Sequence, residues 1–232
     1  MNALLPLDWT IVAGSKVSAL PPPSESHDCR EGMMAGVMMA PRGADAGLPE
    51  RLRVETADWH RKVETLADIP GRIRTRDDYI DLLGAFRQLH GGLEDQLSAP
   101  SWNRAWVNVG VDIAAHCRAG LLAEDLDDLG APTAVAPATK PFPCFGQALG
   151  CLYVLEGSAI GGRIVAGMVH DVIGAVPTAF LSGRGRGNQW SAVRNSLRRF
   201  AAQGGDDDAV VAGALSTFEL FARQFAAPVL QR

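Results

Sequence analysis

The sequence predicts an all-α protein of about seven or eight helices, and three observations carry that expectation. Beyond residue 47, apolar residues recur every three or four positions through most of the chain, the period of one helix face. No stretch of useful length alternates apolar and polar residues, as a half-buried strand would. The composition leans on Ala, Leu, Gly and Val, with only 6% aromatics, a helical bias rather than a β one. At 232 residues the chain suits a single domain with a full hydrophobic core.

Residues 1–47 differ from the rest. They hold Pro21-Pro22-Pro23, several glycines and no sustained period, and they read as a disordered N-terminal extension, or as sequence upstream of a start among Met33 to Met39. No basic start leads into a clean apolar stretch there, so a secretory signal is not expected. The folded domain is placed at residues 48–232. Leu52, Thr56, Trp59, Val63 and Leu66 form one helical stripe, which Pro70-Gly71 ends. A second helix opens at Thr75-Arg76-Asp77-Asp78 and runs through Tyr79, Leu82, Leu83, Phe86, Leu89 and Leu93, with capping residues at its start. A third spans Trp102 to Arg118, and Leu121 to Gly130 makes a fourth that stops at a glycine cap. The proline-rich stretch 131–143 is a connection. One long helix covers Phe145 to about Ile173, and two more cover Gln189 to Ala202 and Asp207 to Phe225.

The formal charge of −4 argues against a nucleic-acid binder, which would be basic. Charge is nevertheless uneven: Arg51, Arg53, Arg61 and Lys62 crowd one segment, and Arg184, Arg186, Arg194, Arg198 and Arg199 another. Such patches receive acidic ligands or partners. Four cysteines without CxxC spacing fit free thiols in a reducing cytoplasm. The longest apolar region, 150–176, is broken by Glu156, Arg163, His170 and Asp171, which makes it a core helix and not a membrane span.

Two stretches carry chemistry. On the first helix Arg53, Thr56, His60 and Glu64 line one side, placing a cation, a hydroxyl, an imidazole and a carboxylate in order. Imidazole is a good iron ligand, and a carboxylate one turn on can orient the ring through its other nitrogen. On the long helix Gly157 and Gly161 share a face, with Gly162 beside them. Each helical glycine costs roughly 1 kcal/mol relative to alanine, so the backbone must be closely approached. Either another helix comes near, or a flat ligand lies against the exposed backbone.

These residues resemble a family. Leu52-Arg53-Val54-Glu55-Thr56-Ala57-Asp58-Trp59-His60-Arg61-Lys62-Val63-Glu64 is similar to the proximal helix of heme oxygenases, and Leu152-Tyr153-Val154-Leu155-Glu156-Gly157-Ser158-Ala159-Ile160-Gly161-Gly162 to the distal helix of the bacterial members. Leu122–Gly130 and Phe180–Trp190 resemble connecting segments, and the likeness runs from Leu48 to Phe225 in the expected order. The nearest resemblance is to biliverdin-producing enzymes associated with bacterial phytochromes. It implies the single-domain heme oxygenase-like helical fold, with heme b as both cofactor and substrate. His60 matches the heme-iron ligand and Glu64 the residue beside its distal-side ring nitrogen. Arg53 matches a contact to a heme propionate, Arg184, Arg194 and Arg198 are candidates for the second, and Thr56 is a packing position of the motif. Tyr153, Gly157, Gly161 and Gly162 match the distal wall, and Ser158 stands where mammalian relatives carry a polar or acidic group that organises water. Gly157, Ser158 and Gly161 are thereby the expected catalytic positions, acting by placement rather than as acids.

The implied reaction takes heme, dioxygen and external electrons to biliverdin, carbon monoxide and ferrous iron. A ferredoxin or flavodoxin-type donor is implied as partner, and a bacteriophytochrome as a receiver of the product. Two other readings stand beside it. A heme-binding carrier or sensor would keep the pocket without turnover. Di-iron oxidases and thiamin-degrading hydrolases of the same helical fold would need a second carboxylate–histidine set or a placed nucleophilic cysteine.

Overall fold

In a computed structural model the described residues are 47–133, 140–184 and 189–226. The chain divides into two compact units, Met1–Met38 and Met39–Arg232, and every described residue belongs to the second. The expected N-terminal extension therefore lies outside the described residues, apart from Gly47.

Among the described residues every regular element is helical. In order they are α1 (Leu48–Glu55), α2 (Ala57–Ala67), α3 (Ile69–Arg72), α4 (Arg76–Leu97), a 3-10 turn at Pro100–Trp102, α5 (Asn103–Val109), a 3-10 turn at Ile113–His116, α6 (Ala119–Asp128), α7 (Phe145–Ile160), α8 (Gly162–Ile173), α9 (Ala179–Ser182), α10 (Gln189–Ala202) and α11 (Asp207–Ala226). The seven helices read from the sequence are all present, but three of them are broken. The first is interrupted at Thr56, whose backbone (φ −99°, ψ −2°) caps α1 and opens α2. The third stops at Gly110, a left-handed cap (φ 74°), and continues only as a 3-10 turn. The long glycine helix bends by 42° between α7 and α8. Two four-residue helices, α3 and α9, are too short to carry a readable period.

The start of α4 is as its sequence indicates. The Thr75 side chain accepts from the Asp78 amide, and Asp78 accepts from the Thr75 amide at 2.8 Å. Satisfying two orphan donors in this way stabilises a helix start by about 1 kcal/mol.

Helix α7 is the core of the domain. Ala148, Leu149, Cys151 and Leu152 are fully buried, and α7 packs along α11. That crossing is close because side chains are missing where the helices meet. A Cβ built on Gly150 would overlap the Val210 carbonyl oxygen, and one on Gly213 the Gln147 carbonyl oxygen. One on Gly146 would stand 2.9 Å from the Ala209 methyl. Helix α11 also carries α2, so the two chemistry-bearing stretches share one supporting helix. No single helix among the described residues is long and apolar enough to cross a membrane; α7 and α8 pass that test only as a bent pair.

A second group of buried residues is polar. Glu94, 5% exposed, accepts from His90 Nδ1 and from the Arg118 and Ala119 amides, each at 2.8 Å, and so caps the start of α6 from α4. Asp125, 1% exposed, likewise accepts from the Ala179 and Phe180 amides at 2.8 Å, which starts α9. Burial pushes the His90 imidazole below its ordinary value. Burial alone would raise the Glu94 carboxyl, but His90 and the two amides outweigh it and hold it low. For a group lowered on folding, the unfolded chain binds more protons between the two pKa values. Stability is therefore present above the unfolded value and lost as pH falls, for His90 below 6.5 and for Glu94 below 4.5. Thermal unfolding midpoints should fall as the buffer is taken from about pH 7.5 to about pH 5, and His90→Gln should flatten the upper part of that decline. A parent midpoint that stays level to about pH 5 would contradict this reading of the pair.

Candidate functional site

Thr56, at the break between α1 and α2, meets Tyr153 of α7, with Arg53 of α1 and Arg194 of α10 nearby. The Tyr153 phenol lies beside the Thr56 hydroxyl and within electrostatic reach of Arg53, Glu50 and Arg194. Burial pushes that phenol above its usual range, and Thr56, Arg53 and Arg194 oppose the shift. Thr56 and His60 are four residues apart, as are Tyr153 and Gly157. From the Thr56–Tyr153 meeting point, each chain thus reaches its second residue after about one helical turn, roughly 6 Å.

His60 is partly buried, its side chain 18% exposed, with Nδ1 3.4 Å from Glu64 Oε2. Its ring meets Phe218 of α11 edge-on, at 5.9 Å between centroids and 72° between planes. The aromatic contact fixes the tilt of the imidazole and the carboxylate addresses one ring nitrogen.

Helix α7 presents Gly157 as a buried residue. A Cβ built there would meet only the Trp190 ring, at 3.6 and 3.8 Å, an ordinary contact that no backbone shares. Gly162 is different: a Cβ on it would overlap the Leu181 carbonyl oxygen of α9. The expectation that Gly162 belongs to a ligand-facing strip is therefore corrected. Its missing side chain admits α9, whose position Asp125 fixes. Gly161 occupies the break between α7 and α8, with φ −74° and ψ −14°. The Ser158 hydroxyl donates to the Leu155 carbonyl at 2.8 Å, so its proton is directed back into its own helix.

Two guanidinium groups, those of Arg53 and Arg194, lie near Tyr153 and Glu50. Arg53 is held by Glu50, with Nε 3.0 Å from each carboxylate oxygen and Nη2 2.6 Å from Oε1. The Arg53 hydrogen bond in turn holds the Glu50 carboxyl low, and Arg194 adds to the effect. Of the three arginines considered for a second anion contact, Arg194 stands here. Arg184 instead pairs with Glu124 of α6, and Arg198 bonds the Asn195 side chain at 3.0 Å.

Three residues of this site, Trp190, Phe218 and Glu50, carried no expectation. Trp190, at the start of α10, lies 5.2 Å from Tyr153 between ring centroids and covers Gly157. No spacing signal links position 190 to 153 or 157, because the contact is made across the fold. Glu50 could have been read, since it precedes Arg53 by three on one helix.

The site offers an imidazole beside a carboxylate, two guanidinium groups near Tyr153, and a buried glycine opposed only by a side chain. The di-iron and hydrolase readings find less. Burial pushes the Cys151 thiol up to about 12, which leaves it protonated and a poor nucleophile. Among the described residues no three His, Cys, Asp or Glu side chains gather as a metal-binding group.

No family model matches the chain. A heme oxygenase of Xanthomonas campestris pv. campestris (strain 8004) is 38% identical over 96 residues, which cover 40% of this chain and 54% of that protein. The match thus spans about half the length of that relative. Among solved structures, the NO- and CO-bound heme oxygenase from Neisseria meningitidis superposes with a TM-score of 0.62 at 19% identity, covering 79% of this chain and 95% of the other. The all-α fold of the described domain is that of the heme oxygenases.

Proposed function

We propose that the protein is a heme oxygenase, converting heme to biliverdin, carbon monoxide and ferrous iron with dioxygen and electrons from an external donor. One observation carries the reading: Gly157 is a buried helical glycine with no backbone pressed against it. Gly146, Gly150, Gly162 and Gly213 are each explained by neighbouring protein. A flat ligand that comes closer than the Trp190 ring accounts for Gly157, and the partial likeness to a heme oxygenase supplies its identity.

Bound heme would supply both the ring that is cleaved and the iron that activates dioxygen. In this reading His60 ligates that iron while Glu64 orients the imidazole. Arg53 and Arg194 receive the propionates, which exchanges the Glu50 carboxylate for a ligand carboxylate. Tyr153 and Thr56 wall the edge between them. Gly157 and Gly161 leave room at the ring's face, so that orientation, not a side-chain acid, selects where the ring opens. A ferredoxin or flavodoxin-type donor would supply the electrons in this reading. A cytoplasmic setting and delivery of biliverdin to a bacteriophytochrome belong to the same reading.

The test is to mix the purified protein with hemin, supply ferredoxin and its reductase or ascorbate, and follow the absorption spectrum. Loss of the heme bands with growth of biliverdin absorption and release of carbon monoxide is expected. A second reading, a heme carrier or sensor, is favoured by the Ser158 proton being engaged within its own helix. It predicts a stable complex whose ring survives every donor.

Glu50 also yields an expectation. Since it competes with the ligand for Arg53, Glu50→Gln should tighten hemin binding by about two- to fivefold, the scale of an exposed ion pair. A hemin titration checks this, and weaker binding in the variant would show that Glu50 supports the site instead of competing for it.

A further inference from the structure

We infer that Trp190 sets access to the site: its indole covers the Gly157 face of α7 in the free protein and gives way to the flat ring of the ligand. The inference rests on the heme reading above. Three observations support it. The ring edge of Trp190 is the nearest neighbour of the space beside Gly157, at 3.6 and 3.8 Å, and no backbone shares that space. The same indole leans on Tyr153 at 5.2 Å and 44°, so it spans one turn of the face assigned to the ligand. Trp190 is only half-buried, at the first turn of α10, where a side chain can leave without breaking a core helix.

An indole is flat, apolar and aromatic, and it is the closest match among side chains to a portion of a porphyrin ring. It therefore keeps water off a buried glycine face that would otherwise expose helix backbone. The ligand meets that face only when the indole has moved, so part of the ligand's contact energy is offset by the Trp190–Tyr153 contact that is lost. The cost falls on flat aromatic ligands of every kind, with or without iron.

The measurement is stopped-flow association of hemin, and separately of iron-free protoporphyrin IX, with the parent, Trp190→Phe and Trp190→Ala. The association rate should rise in the order parent, Phe, Ala, by about three- to tenfold overall, the scale of one aromatic pair. Tryptophan emission that is lost on binding to the parent should lose one fast component in Trp190→Phe. If Trp190→Ala does not fold, the Phe variant carries the test, because it keeps an aromatic contact to Tyr153. Equal rates for parent and Trp190→Phe, with hemin still bound through His60, would overturn the role of Trp190 and leave the heme reading intact. Failure of the parent to bind either porphyrin would overturn both.

Discussion

His60→Ala is expected to remove the imidazole-ligated spectrum of the hemin complex and to lower biliverdin formation by more than about a hundredfold, beyond the loss that follows removal of an outer partner alone. The expectation is physical. His60 lies one turn from the Thr56–Tyr153 meeting point, and its tilt is fixed by Phe218. Glu64 stands on its Nδ1 side, where a carboxylate can orient the ring. Exogenous imidazole should restore part of the spectrum in the alanine variant, because the vacated volume is that of the ring. Glu64→Gln should cost about tenfold, as an orienting partner does. An unchanged spectrum in His60→Ala would move the iron to another histidine. Neither buried candidate is open to a ligand from outside: His90 and His116 are only 1% and 5% exposed.

The glycines of α7 and α8 separate stability from function with opposite signs. Gly157→Ala should stabilise the free protein by up to about 1 kcal/mol, since a helical glycine is replaced and the added methyl meets only an ordinary contact. The same change should weaken hemin binding and turnover by roughly tenfold or more, and Gly157→Leu by more still. Gly150→Ala and Gly162→Ala should do the reverse in the first respect. Their methyls collide with backbone of α11 and α9, which costs about 1–3 kcal/mol as overpacking does. Thermal unfolding of the heme-free variants, alongside hemin titrations, checks both halves. A Gly157→Ala protein that is destabilised, yet binds hemin as the parent does, would make Gly157 another packing glycine.

Much of this was legible in the sequence, and the limits have physical causes. The stripe Leu52–Leu66 and the caps of α4 were readable because local chemistry decides them. The breaks at Thr56 and Gly161 were not, since the apolar period runs through both and only the bend reveals them. For the triple glycine the sequence left two explanations open, close helix approach or a flat ligand. The structure realises the first at Gly162 against α9, and at Gly146, Gly150 and Gly213 on the α7–α11 crossing, while no backbone opposes Gly157. Deciding between them required knowing which backbone lies opposite each residue, a long-range fact. Arg194 could be distinguished from Arg184 and Arg198 for the same reason. Trp190 was invisible because its partners stand far away in the chain.

The account turns on a porphyrin held between the imidazole of α2 and the bare face of α7. A crystal structure of the hemin complex tests it most directly. The account predicts iron bonded to the imidazole of His60, the ring passing over Gly157 with Trp190 displaced, and the propionates at Arg53 and Arg194. Hemin seated elsewhere, with the indole still on Gly157 and Glu50 still on Arg53, would contradict it.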